Sequence, residues 1–319
     1  MRRSKAGALL VLVLSALGLL VVPAAATTGC DAEGDAGNGR FTIVVLPDTQ
    51  MATESWPELF RAQTEWIAAN AESRDIRYVI HEGDIVERPH QPWQWDRARS
   101  ALSTLDGKVP YILAVGNHDM DAHGTGNPQW ERETEQFNNA FPRSRFASGP
   151  SFGGTFPTQL NDSSYHLFSA GGVDWLVLSL KYIPTESETD WANRVIADHP
   201  DRKVLLVTHA YSDGARKDRT GQRLWDAMVR RHPNMLFVFS GHYVNAGRIV
   251  EPGDAGNLVY QLQADYQSYT DAERNGYLRI LEFDTAAGRV DVRTYSPHAN
   301  AHLTDPQNQF TLTGVNFAG

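Results

Sequence analysis

Five apolar runs in this chain end the same way, on polar side chains suited to metal binding, and this repetition limits the fold more than any other feature. Val109–Val115 has the unbroken apolar character of a strand buried on both faces, then stops at Gly116 and delivers Asn117, His118 and Asp119. Phe41–Leu46 runs into Pro47, Asp48, Thr49 and Gln50, and Ile76–Ile80 into His81, Glu82, Gly83 and Asp84. Lys203–Val207 leads to Thr208 and His209, and Met235–Phe239 to Ser240, Gly241 and His242. Ligands of open α/β sheets collect outside the carboxyl ends of the strands, so five such runs meeting at one edge predict a metal site.

The segments between the runs supply helices. Leu59, Gln63, Trp66, Ile67 and Asn70 recur at helical spacing within Trp56–Ala71, with Ser55 as the expected N-cap and Pro57 in the first turn. A second helix is expected over Pro92–Leu105, and the resulting β-α-β-α-β alternation implies right-handed parallel crossovers. Met120–Asn161 departs from this rhythm, with one helix over Gln129–Ala140 and a loop rich in Gly, Pro and Ser over Pro142–Thr158. Tyr165–Phe168 and Trp175–Leu180 read as a hairpin, and Glu186–Ala197 and Gln222–Arg230 as helices. Arg248–Val250, Leu258–Leu262, Tyr277–Phe283 and Val290–Tyr295 complete the strands, the last pair joined by a turn at Thr285–Gly288. An antiparallel second half beside a mixed first half predicts an α/β fold of two face-to-face sheets flanked by helices, in one domain over 41–319.

Ahead of that domain, Arg2, Arg3 and Lys5 precede an apolar stretch from Leu9 to Val22, and Ala24, Ala25 and Ala26 form a cleavage site. The stretch is short for a span of about 20 residues, so residues 1–26 read as a removable signal peptide and the protein as secreted or held at the cell surface. The single thiol, Cys30, excludes an internal disulfide framework. Thr28-Gly29-Cys30 is similar to the end of a bacterial lipoprotein signal, although Thr27 stands where an aliphatic residue is usual, which makes Cys30 a candidate lipid anchor. Residues 27–40 read as a solvated linker. The formal net charge of −9 gives no general attraction to nucleic acid or anionic membrane. Trp93, Trp95, Trp130, Trp175 and Trp191 are not interleaved with basic residues, so nucleic-acid binding is not indicated.

Asp48, Gln50, Asp84, Asn117, His209 and His242 offer oxygen and imidazole ligands with no thiolate, a set suited to Mn, Fe, Zn or Ni. One carboxylate can bridge two ions about 3.5–4 Å apart, and such a pair activates water and clamps a phosphoryl group. Taken singly, each residue has a plainer reading as turn chemistry or a packed histidine. Together these residues resemble the calcineurin-like metallophosphoesterases: Asp48-Thr49-Gln50 for the family's D-x-H, Gly83-Asp84 for G-D, Gly116-Asn117-His118-Asp119 for G-N-H-D, His209 for the isolated histidine, and Gly241-His242 for the start of G-H-x-H. The resemblance implies a four-layer α/β/β/α sandwich around a centre of two divalent ions. It makes Asp84 the bridging ligand, completes one site with Asn117, His209 and His242, places His118 at the substrate's phosphoryl or leaving oxygen, and has Asp119 orient His118. Two positions depart from the pattern. Gln50 replaces a histidine, and Val244 stands at the last position of G-H-x-H, so the other site keeps Asp48 and Asp84 with a weaker amide and is expected to hold its ion less tightly.

The expected function is therefore an exported metal-dependent phosphoesterase acting on a small phosphate mono- or diester. Two rivals stand beside it: a binding protein of the same fold with little turnover, and a hydrolase of another activated ester or pyrophosphate bond. Of the remaining candidates, His81 and Glu82 read as packing or surface residues rather than partners of the ligands, His123 as a solvated loop residue rather than one entering the substrate cleft, and Arg248 as half of a surface ion pair rather than a phosphate contact. Asp265, Tyr266 and Gln267 read as a cleft wall, and Asn245 as a neighbour able to stand in for Val244.

Overall fold

A computed structural model describes Met1 and residues 39–125, 133–268 and 270–318. The expected signal peptide, Cys30, residues 27–38 of the linker and the first four residues of the helix expected over Gln129–Ala140 lie outside the described residues. Strand β1 (Arg40–Leu46) sends Ile43 and Val45 to one face and Val44 and Leu46 to the other, all buried, as a strand covered on both sides requires. Helices α1 (Gln50–Ser55) and α2 (Pro57–Asn70) follow. Ser55 is not a cap: the chain is already helical before it, and Trp56 is the N-cap, with no side-chain bond. Pro57 forces the break because the residue before a proline is disfavoured in helical conformation.

Strand β2 (Ile76–His81), helix α3 (Pro92–Leu102) with a 3-10 turn at Ser103–Leu105, and the short strand β3 (Tyr111–Leu113) continue the alternation. β1, β2 and β3 are parallel. Helix α4 covers Glu135–Ala140, and the segment expected as a loop over Pro142–Thr158 instead forms helix α5 (Arg143–Ala147) and strand β4 (Phe152–Phe156). Gly153 and Gly154 carry no β-forming side chain, which hides β4 in the sequence. β5 (Ser163–Ala170) and β6 (Val173–Leu180) pair as the expected hairpin, through a two-residue turn at Gly171 and Gly172. A capping box between Thr185 and Glu188 starts α6 (Glu186–Ala197), and the Asp218 side chain caps α7 (Arg219–Ala227), which begins three residues earlier than expected. The remaining strands are β7 (Lys203–Thr208), β8 (Met235–Ser240), β9 (Asn245–Pro252), β10 (Leu258–Asp265), β11 (Leu278–Asp284), β12 (Arg289–Ser296), β13 (Ala301–Leu303) and β14 (Phe310–Thr313).

Two mixed sheets result, one ordered β13-β12-β11-β1-β2-β3 with β14 also on β12, the other β4-β5-β6-β7-β8-β10-β9. They do not divide the chain into halves as expected. β11 returns from the carboxyl end to pair antiparallel with β1, and the parallel ladder β6-β7-β8-β10 lies in the second half. Ile43, Tyr78 and Ile80 face Trp175, Val207, Phe237 and Phe239 in the core between the sheets. The outer face of the first sheet packs on Leu59, Phe60, Ile67 and Trp95 of α2 and α3, and that of the second on Val195, Ile196 and Leu224 of α6 and α7. These are the four layers α/β/β/α. Among the described residues no helix is long and apolar enough to cross a membrane.

Candidate metal centre

The carboxyl ends of β1, β2 and β3 from one sheet meet those of β7 and β8 from the other, and the loops there approach closely. A Cβ on Gly116 would lie 2.0 Å from Asp84 Oδ1, and one on Gly241 would lie 1.9 Å from Asp48 Oδ1. Only glycine lets these loops close over the two carboxylates. Asp84 and His242 themselves have left-handed backbones, with φ of 49° and 71°. Such strain collects where surrounding structure holds a functional side chain in place.

His209 anchors the arrangement. Its Nδ1 donates to the Glu82 carbonyl at 3.0 Å, which leaves the Nε2 lone pair facing inward. Around Nε2 stand Asn117 Oδ1 at 3.1 Å, Asp84 Oδ2 at 3.2 Å and His242 Nδ1 at 3.2 Å. Acceptor atoms from four side chains thus converge on one point, a geometry that a divalent cation satisfies. Asp84 Oδ1 accepts the His118 amide at 2.9 Å, fixing the carboxylate from the outer side. Burial alone would raise the Asp84 pKa, but His209 and His118 outweigh it and bring it to about 2. Burial, with His209 beside it, pushes His242 down to about 4, so its ring is neutral near pH 7.

The opposite flank has more oxygen and fewer ligands. The Asp48 carboxylate accepts the His242 amide at 3.2 Å and lies close enough to Asp265, Asp84 and Glu82 that these add to burial in raising its pKa. Gln50, the first residue of α1, donates from Nε2 to Asp84 Oδ2 at 3.1 Å, while its buried Oε1 has no hydrogen-bond partner. Val244 is 63% exposed and borders a cavity of about 690 Å³ with Asp265, Tyr266 and Gln267. Asn245 opens β9 and turns its Nδ2 to the Asp213 carbonyl at 3.4 Å, not toward Asp48. The orphaned Gln50 oxygen and the two carboxylates fit a cation, with no imidazole from position 50 or 244.

His118 and Asp119 are not a pair. Asp119 is fully buried and accepts three backbone amides, Ile85 at 2.8 Å, Val86 at 3.1 Å and Gly116 at 2.9 Å. Its geometry ties the loop after β2 to the loop after β3, and burial together with Asp84 raises its pKa to about 7. Glu87 takes the place expected for it: Oε2 lies 3.0 Å from His118 Nδ1, and the Glu87 carbonyl lies 3.3 Å away. Burial opposes a charge on His118, but Glu87 and Asp84 prevail and raise its pKa to about 9. The only sequence signal for Glu87 was an acidic residue three positions after Asp84.

Other residues complete the surroundings of the centre. His81 is buried, its Nε2 3.0 Å from Thr49 Oγ1 and its Nδ1 accepting the Gly83 amide at 3.1 Å, so it joins the loops after β1 and β2. Glu82 is also buried rather than at the surface, and it acts through the carbonyl that holds His209. Tyr182, just past the end of β6, sets its ring 5.9 Å from His209 and 5.5 Å from His242. β6 is a sixth apolar run ending at this edge, and that was the signal for Tyr182. His123 stacks on His118 with ring centres 3.7 Å apart. Arg248 docks the C-terminal segment, donating to the Pro306 carbonyl at 2.8 Å and lying over the Phe310 ring, with no ion pair among the described residues.

Comparison with known proteins places these features in context. The sequence profile described as calcineurin-like phosphoesterase matches residues 41–246. The uncharacterized protein YvnB of Bacillus subtilis (strain 168) is 35% identical over 287 residues, which is 86% of this chain and 22% of YvnB. The chain thus spans about a fifth of that relative's length. Among solved structures, the purple acid phosphatase PPD1 from yellow lupin (Lupinus luteus) seeds aligns with a TM-score of 0.55 at 15% identity, over 87% of this chain and 54% of that one. GAP50, the anchor in the inner membrane complex of Plasmodium, aligns with a TM-score of 0.50 at 11% identity, over 88% and 90%. At these identities the two structures speak to the fold alone.

Proposed function

Since the chain belongs to the calcineurin-like phosphoesterase family, we propose that it is an exported metal-dependent phosphoesterase that hydrolyses small phosphate mono- or diesters. The observation that carries this reading is the meeting of Asp84, Asn117, His209 and His242 around His209 Nε2, with His118 on the adjoining loop. Asp84, Asn117, His209 and His242 would hold one divalent ion, and Asp48, Asp84 and Gln50 a second. When bound, such ions supply electrophilic assistance to phosphoryl transfer to water.

The chain's own residues do the rest. His118, part-buried with a pKa raised to about 9, carries a proton near neutral pH that it can give to the leaving oxygen. Glu87 keeps that proton on the ring and holds its orientation. Asp119 fixes Gly116, and through it the loop that carries Asn117 and His118. A second reading, a binding protein of this fold with little turnover, is favoured by Gln50 and Val244, which remove two imidazoles from one flank.

The test is hydrolysis of an aryl phosphate by the purified chain with each divalent ion added in turn, in wild type and His118→Ala. The proposal expects metal-dependent turnover that falls by about 10²–10⁴ in the variant while metal content is unchanged. No turnover with any ion supports the binding-protein reading instead, and metal-dependent turnover at an equal rate in the variant would overturn the role given to His118.

A further inference from the structure

We infer that Glu87, His118 and His123 form a separate peripheral site for a borderline divalent transition ion such as Zn²⁺, beside the centre described above. Each of the three side chains places one ligand atom within 4.8 Å of the other two. None of the ligands assigned to the centre is among them.

Two contacts make this more than a chance cluster. Glu87 Oε2 lies 3.0 Å from His118 Nδ1, its ion-pair partner when the ring is protonated, and has no other hydrogen-bond partner. The Glu87 carbonyl also lies 3.3 Å from the same Nδ1. With the ring neutral at Nδ1 that buried carboxylate oxygen lacks a partner, and a cation shared with the imidazole would satisfy it. Ligand atoms about 2.0–2.2 Å from a tetrahedral zinc ion lie about 3.3–3.6 Å apart, a few tenths of an ångström more than the 3.0 Å separation found here, so a small side-chain movement would admit the ion. The second contact is between the imidazoles of His118 and His123, whose centres are 3.7 Å apart with planes tilted by 34°, so that a ring nitrogen of each lies within 4.8 Å of the other and of the Glu87 carboxylate. His123 is fixed at the start of its loop by its backbone amide, which donates to the Met120 carbonyl at 2.9 Å.

The donor chemistry selects the ion. Two imidazoles and one carboxylate form the ligand set of open zinc sites, with a fourth position left for water. All three residues are partly exposed, so an ion can enter from solvent. His118 stands between the two sites, its Nδ1 on the Glu87 side and its Nε2 3.9 Å from Asp84 Oδ2. An ion on Nδ1 would hold the ring in its present orientation without using Nε2. Because the ion would replace the Nδ1 proton that Glu87 holds, filling this site competes with the proton donor proposed for the centre.

The experiment is equilibrium dialysis of the full-length protein against Zn²⁺ at controlled free concentrations, with bound ion counted by elemental analysis. Wild type, His123→Ala, Glu87→Gln and Asp84→Asn are compared, each checked for folding by circular dichroism. Wild type is expected to bind one ion more per chain than His123→Ala and Glu87→Gln, whose affinity at this site should fall beyond the roughly 10–100-fold cost of losing an orienting partner. Asp84→Asn weakens the centre and should keep the extra ion. Equal isotherms for wild type and His123→Ala would overturn the inference, and so would loss of the extra ion in Asp84→Asn, which would assign it to the centre. Cobalt substitution gives a second readout: an absorption band present in wild type and absent in His123→Ala supports the site, and identical spectra count against it.

Discussion

Replacing Asp119 by alanine separates two roles that the sequence leaves joined. If Asp119 oriented His118, the variant would fold normally and lose turnover alone. The structure predicts a loss of stability first. The carboxylate accepts the amides of Ile85, Val86 and Gly116 in a fully buried position. Hydrogen bonds to a charged group contribute roughly 1.5–3 kcal/mol each, and the variant would leave three buried donors without a partner. Burial of the carboxylate, which raises its pKa to about 7, offsets part of that gain. A net loss of about 3 kcal/mol remains, a large share of the roughly 5–15 kcal/mol that holds a domain together. For a chain of this size the melting temperature should fall by roughly 6–12 °C. Asp119→Asn keeps one acceptor for Ile85 and Val86 but sets an amide donor against the Gly116 N–H, so it should lie between the two. Urea and thermal unfolding of all three proteins in chelator decide the matter. An Asp119→Ala protein as stable as wild type but catalytically dead would refute the reasoning.

Three further outcomes are expected. Asp84→Asn should lose more bound metal after dialysis than Asn117→Ala, because Asp84 faces His209 on one flank and Gln50 on the other, and equal losses would count against its bridging role. Val244→His should raise the metal retained after dialysis toward two ions per chain; Val244 is 63% exposed, so the new ring meets little packing, and unchanged stoichiometry would show that position 244 does not reach the centre. His166 accepts the Tyr78 hydroxyl at 2.5 Å, and burial lowers its pKa from 6.5 to about 4. Its lowered pKa means that its full contribution to stability is present above pH 6.5 and is lost as pH falls toward 4, by about 3 kcal/mol. Urea unfolding of His166→Asn should lack that part of the pH dependence, and a slope equal to wild type would be contrary.

The sequence made legible whatever is local to a strand end. Asp48, Asp84, Asn117, His209 and His242 each follow an apolar run within four residues, so strand period and chain order suffice to bring them to one edge. Gly116 and Gly241 were legible as motif letters, but their cause, the closeness of Asp84 and Asp48, needs the folded loops. Asp119 and Glu87 show where local reading ends. Both are acidic and both lie near His118 in the sequence or the fold, and only the path of the loop after β2 decides which faces the ring. The return of β11 to β1 is hidden for a similar reason, since strand pairing across more than two hundred residues leaves no local signal. Thr185 and Asp218, in contrast, cap α6 and α7 through contacts three residues away, which the sequence displays once the helix starts are known.

The centre also has a division of labour that follows from its two sheets. The first sheet brings oxygen ligands, Asp48 and Gln50 after β1, Asp84 after β2 and Asn117 after β3. The second brings nitrogen, His209 after β7 and His242 after β8. Several contacts at the edge cross between them: His209 to the Glu82 carbonyl and Asp84, and the His242 amide to Asp48. An ion ligated by both sheets gains charge neutralisation from one and imidazole donors from the other. At Gln50 the first sheet offers an amide in place of an imidazole, and at Val244 the second sheet offers nothing. The flank around Asp48 thus depends on the first sheet alone, with two carboxylates and an amide, and oxygen-only sets favour harder ions such as Mn²⁺ or Mg²⁺. The two flanks of one centre should therefore differ in which ion each prefers as well as in how tightly each holds it.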